Sequence, residues 1–161
     1  MTSEEKTSTS SSSEPPHLPN WGQMCWVEIP CTDLSRVIAF YRNVLSWEIA
    51  DPGSPEGSIP AMNPGNEALH SFKTGHLHGA FVKMADESYV ANVADDAVPF
   101  KSSVLAYYAA DSIDETLKKV EQFGGRVHVP KTKILDGSMG WFARFVDSEG
   151  NLQGIWAKND K

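Results

Sequence analysis

The sequence predicts an α+β protein built from two tandem βαβββ modules, on three observations. An apolar strand running straight into an amphipathic helix occurs twice, each helix is followed by three further strand-like segments, and the two halves end on matching sequences. The first strand-helix unit is Met24 to Thr32 followed by Asp33 to Leu45. The second is Ser103 to Asp111 followed by Ser112 to Phe123.

Leu34, Val37, Ile38, Tyr41 and Leu45 recur at helical spacing and form one apolar stripe; Ile113, Leu117, Val120 and Phe123 form the other. Asp33 is placed to cap the first helix. Ser112 with Glu115 three residues on is a capping box for the second. Gly124-Gly125 ends the second helix, whereas Ser46 stands where a glycine would end the first, a weaker stop. Strands are expected at 48–50, 68–72 and 77–84 after the first helix, and at 126–130, 141–146 and 152–157 after the second. Pro52, Pro55, Pro60 and Pro64 make 51–66 a loop, and 87–100 is read as a linker. Leu77-His-Gly-Ala-Phe81 matches Leu152-Gln-Gly-Ile-Trp156, and Asp147-Ser-Glu-Gly-Asn151 supplies the turn before the last strand. The domain is thus expected over 21–158, with modules at about 22–86 and about 101–158.

Residues 1–20 are rich in Ser and Thr and nearly devoid of large apolar side chains, so they cannot offset their ordering entropy by burial and are expected to be a disordered tail. They carry Glu4, Glu5 and Glu14, no Arg and no apolar run, unlike a secretory or mitochondrial leader. With 40% hydrophobic and 22% charged residues, the remainder can bury an ordinary core. A formal charge of −7 without a basic run argues against nucleic acid or anionic membrane as partner, and no stretch reaches membrane-spanning length. A cytoplasmic location is expected. Cys25 and Cys31 lie six apart around one strand, too far for a disulfide, and are expected to be two buried free thiols.

Trp26-Val-Glu-Ile-Pro30 with Asp33-Leu-x-Arg36 and Phe40-Tyr41, then Gly79-Ala-Phe-Val-Lys83, Met139-Gly-Trp-Phe-Ala143, Asp147-x-Glu-Gly-Asn151 and Gly154-Ile-Trp156 follow one another in register. Together they resemble the vicinal oxygen chelate superfamily, which comprises glyoxalase, bleomycin-resistance and dioxygenase proteins, and within it the lactoylglutathione-lyase-related branch. The resemblance covers about residues 22–158 and implies curved mixed sheets forming a cleft for a small molecule, often beside a divalent metal. It departs from the family pattern at Ser46 and at Ser148, where proline is common.

The resemblance also locates four metal positions, on the first and last strands of each module. Here they fall on Trp26, Gly79, Leu105 and Gly154, none of which can hold a divalent cation. No metal cofactor is therefore expected, and metal-dependent glyoxalase I or dioxygenase activity is disfavoured. His76 and His78 are the fallback ligand pair, although alternation from Gly79 turns both away from the cleft unless a bulge intervenes.

The same alternation predicts a cleft lined by Trp26, Glu28, Leu77, Phe81, Leu105, Tyr107, Leu152 and Trp156, with Met139 and Trp141 near its mouth. Such a lining suits a flat or apolar organic ligand. Glu28, a carboxylate on an apolar strand, is the candidate general base or acid, with Tyr107 polarising an oxygen. A structural Glu28, paired with a basic side chain or with Tyr107, is the competing reading, and the tryptophans divide between core packing and ligand stacking. Three functions stay open: metal-independent lyase- or isomerase-type proton transfer on an aromatic or carbonyl-containing molecule, non-catalytic sequestration of the bleomycin-resistance type, and an interaction module whose cleft is vestigial. The partners expected are a small molecule and, by pairing of sheet edges, a second copy of the chain.

Overall fold

The computed structural model of the chain describes residues 24–60, 66–75, 77–85 and 104–159. The expected tail and linker, and His76, lie outside the described residues.

The element order is β1 (Trp26–Cys31), α1 (Leu34–Leu45), β2 (Ser58–Ile59), β3 (Asn66–Thr74), β4 (Leu77–Met84), β5 (Tyr107–Ala109), α2 (Ile113–Gln122), β6 (Arg126–Lys133), β7 (Trp141–Val146) and β8 (Leu152–Ala157). Two four-stranded sheets result, ordered β1-β4-β3-β2 and β5-β8-β7-β6. In each, the first strand runs parallel to the last and the other pairs are antiparallel. This is the expected βαβββ arrangement, twice over.

Both helices begin as their caps dictate. Asp33 accepts a hydrogen bond from the Arg36 amide, and Ser112 from the Glu115 amide. Ser46 ends α1 in the left-handed region at φ 56°, doing with a Cβ what glycine does without strain. The strand expected at 48–50 is absent. Those carbonyls are taken by side chains instead: the Arg42 guanidinium donates to the Ile49 carbonyl, and His70 Nε2 lies 2.9 Å from the Ala50 carbonyl. The sheet-edge role passes to β2, inside what the prolines marked as loop.

One apolar core unites the modules. It joins the buried stripes of α1 and α2 to the inner faces of both sheets, Ile29, Phe72 and Phe81 from the first and Ala143, Phe145 and Ile155 from the second. Trp47 stacks on Tyr41 and Phe72, at 4.7 Å between centroids in each case, and meets Tyr108 of the second module edge-on at 5.4 Å. Aromatic pairing of this kind fixes ring orientation in addition to burying area.

A polar seam runs alongside that core. The Glu149 side chain is fully buried; its carboxylate accepts from the Thr32 amide at 2.9 Å, the Asp33 amide at 3.2 Å, the Thr32 hydroxyl, and the Arg36 guanidinium. Asn151 donates to the Pro30 carbonyl at 2.9 Å, and the Tyr41 hydroxyl to Asp147 at 2.9 Å. The Asp-x-Glu-Gly-Asn turn of the second module thus grips the strand-helix junction of the first. Cys31, beside this seam, is fully buried, and burial with the neighbouring carboxylates pushes its thiol up to about 12. Cys25 is exposed rather than buried; both thiols are free. No helix among the described residues is long and apolar enough to cross a membrane.

Candidate functional site

The open face of the second sheet carries a pocket of about 460 Å³, lined among the described residues by Tyr107, Ile134, Phe142, Arg144 and Trp156. Strand register explains the grouping. Tyr107, Gly154 and Arg144 form one row across β5, β8 and β7; Ala109, Trp156 and Phe142 form the next. Alternation then turns every side chain in these rows away from the core.

Gly154 sets the geometry of the first row. A Cβ there would lie 2.5 Å from the Tyr107 ring, so the missing side chain lets that ring lie flat over β8. From this position the Tyr107 oxygen accepts from Arg144 Nε at 2.8 Å. The guanidinium also lies 5.9 Å from the Phe142 centroid, within cation-π range. Trp156 spends its indole N–H on the Met139 carbonyl at 2.9 Å and so offers the pocket only its ring.

A sequence model of the Glyoxalase/Bleomycin resistance protein/Dioxygenase superfamily matches residues 23–154. The chain belongs to this superfamily. A glyoxylase-like domain-containing protein from Didymella fabae is 29% identical over 141 residues, covering 87% of this chain and 97% of that protein. Among solved structures, a glyoxylase/bleomycin resistance protein/dioxygenase domain from Frankia sp. EAN1pec superposes with a TM-score of 0.56 at 13% identity, covering 86% of this chain and 98% of that one. A fosfomycin resistance protein from Listeria monocytogenes, solved with Mn(II) and a dihydroxypropylphosphonic acid, gives 0.56 at 15%, covering 86% and 90%. At such identities the structural likeness is one of fold.

Tyr107 and Trp156, both expected at the cleft, are among the described residues lining this pocket. Arg144, Phe142 and Ile134 join them unpredicted; placing Trp141 at the cleft selected the opposite parity on β7 and hid the first two. Leu152 shares the open face of β8, half-buried at the strand's start. Leu105 precedes β5 and is half-buried. Met139 is exposed and contributes its carbonyl to holding Trp156.

Several expectations are corrected. Phe81 is fully buried, packed on Phe72 at 4.8 Å and Tyr41 at 5.2 Å, because β4 presents its odd-numbered residues to the core. Leu77 has the same parity and is only half-buried at the strand end. Trp141 faces the helix side of β7, where Lys131 and Lys133 lie 5.0 and 5.1 Å from its ring. Gly79 also faces inward: a Cβ there would strike the Phe72 ring at 2.5 Å. His78, expected to point away from the cleft, instead shares the open face with Trp26, its partner in the β1–β4 register, and with Glu28. Trp26, Glu28 and His78 are exposed, and the Trp26 indole N–H lies 3.4 Å from a Glu28 oxygen. None of the three is among the described residues lining the pocket.

On the open face β1 carries Trp26 and Glu28, β4 carries His78 and Ala80, and β8 carries Gly154, while Leu105 precedes β5. Among the described residues, no three His, Cys, Asp or Glu side chains converge.

Proposed function

We propose that this glyoxalase-like protein binds a small organic molecule with a flat apolar body on the open face of its second sheet, without a resident divalent metal. One observation carries the reading. Among the described residues, the pocket sets two aromatic rings and an isoleucine around one Tyr–Arg pair, a mostly apolar hollow with a few convergent polar groups. Its size suits a molecule of one or two rings.

Sequestration is favoured over proton transfer by the chemistry of the polar groups. Tyr107 and Arg144 each carry hydrogen-bond donors, and Glu28, the expected base, is not among the described lining residues. The donor pair does supply half of a lyase or isomerase site, since it would stabilise a developing oxyanion. The two readings separate on Glu28.

A screen of small aromatic and carbonyl compounds by protein-observed NMR tests the proposal. Hits should shift the Trp156 indole resonance, and Trp156→Ala should weaken them by about tenfold, the worth of one lost ring contact. Glu28→Gln should leave affinity unchanged. Turnover of a hit that Glu28→Gln abolishes, with binding intact, would instead establish the catalytic reading.

A further inference from the structure

We infer that the ligand of this pocket is an anion, a planar carboxylate or an equivalent delocalised oxyanion, held by Arg144 and Tyr107 together. The inference rests on the pocket being a binding site and adds the charge of its occupant.

Arg144 is the starting point. In a chain of net charge −7, it points into an otherwise apolar hollow and forms no ion pair with any described carboxylate. Its Nε–H is committed to Tyr107, and its ring partner is Phe142. That leaves the two terminal nitrogens, whose parallel N–H bonds match the spacing of two carboxylate oxygens.

Tyr107 adds a further donor by elimination. Its oxygen accepts from Arg144, so its own proton is free to be given to something else. Among the described residues no acceptor takes it. An oxyanion beside the guanidinium would take both the Arg144 N–H bonds and the Tyr107 O–H.

The walls decide the rest of the ligand. Trp156 has spent its only donor on the Met139 carbonyl, and Phe142 and Ile134 have none. Among the described lining residues, polarity is therefore confined to one corner of the pocket and the remainder is rings and aliphatic carbon. The fitting molecule has its charge at one end and a flat, apolar body at the other. Gly154 holds the arrangement, because any side chain there would lift Tyr107 off β8 and away from Arg144.

The test compares 2-naphthoate with 2-naphthamide, which share the ring and differ in charge, by titration into the full chain with protein-observed NMR. Shifts should map to Trp156 and Arg144, and the carboxylate should bind about tenfold more tightly than the amide, since charge-assisted bonds are about twice as strong as neutral ones. Arg144→Gln should erase that preference while the amide still moves Trp156. Arg144→Lys, which keeps the charge, should retain much of it, and added salt should shrink it. Equal affinities in the wild type would overturn the anion inference and leave the pocket intact as a neutral site. So would a preference that survives Arg144→Gln. Failure of both probes to perturb the pocket would overturn the inference along with the binding reading beneath it.

Discussion

Glu149 and Arg36 face each other across the module seam, yet their removal should have unequal costs. Glu149→Ala deletes the acceptor for the Thr32 and Asp33 amides, for the Thr32 hydroxyl and for the guanidinium, and its side chain is fully buried. Two amides at the start of α1 lose their partner, and each unpaired group costs about 1–3 kcal/mol where water cannot reach it. Thr32 is half-buried and Asp33 exposed, so the lower part of that range applies. The expected loss is about 2–3 kcal/mol. Arg36→Ala is different: the side chain is 49% exposed, and Glu149 keeps its two amide donors. Its expected loss is about 0.5–1 kcal/mol, the range of a surface ion pair. Urea unfolding followed by tryptophan fluorescence measures both. In thermal melts, at about 2–4 °C per kcal/mol, Glu149→Ala lowers Tm by about 4–12 °C and Arg36→Ala by no more than about 4 °C. Equal losses, or a Glu149→Ala loss below about 1 kcal/mol, would refute the assignment of Glu149 as the backbone-capping half of the seam.

Other predictions test the pocket, the seam and the thiols. Gly154→Ala should push the Tyr107 ring away from Arg144, with ligand affinity falling about tenfold or more while the circular dichroism spectrum is kept; unchanged affinity would show that the ring position does not matter. Native protein at pH 8 should react with one equivalent of a thiol reagent, at exposed Cys25, and with two only after denaturation, because Cys31 is buried and its thiol is held near 12. Burial holds the Asp147 carboxyl above its usual value, against hydrogen bonds from Asn151, Glu149 and Tyr41 that pull it back. The folded state then keeps a proton that the unfolded chain releases, so this residue's contribution to stability falls as pH rises from about 4 through the raised folded pKa and then levels off. The stability of wild type relative to Asp147→Asn should fall across that window; a rise would show that the hydrogen bonds outweigh burial.

The two glycines at the sheet centres show how far sequence could reach. Gly79 and Gly154 sit in matching sequences, and the match invites the inference that they occupy matching positions. The register separates them. Gly154 pairs with Tyr107, five residues before the cap of α2, whereas the residue paired with Glu28, five before the cap of α1, is Ala80. Each glycine makes room for an aromatic ring, Phe72 inside and Tyr107 outside. Sequence similarity registered the shared need for space and carried no information about the face. One residue of slip put Ala80 in the place expected for Gly79, turned His78 to the open face and sent Phe81 to the core.

What the sequence determined by itself were the features set by local spacing and chemistry: two amphipathic helices with their caps, most of the strands around them, and the superfamily. The tertiary structure decided what depends on pairing between distant strands: the face that β4 presents, the union of Tyr107 with Arg144 thirty-seven residues on, the seam at Glu149, and the separation of Glu28 from the pocket. A strand's alternation is written in its own residues, but which half of that alternation meets the core is fixed only by the neighbour to which it is hydrogen-bonded.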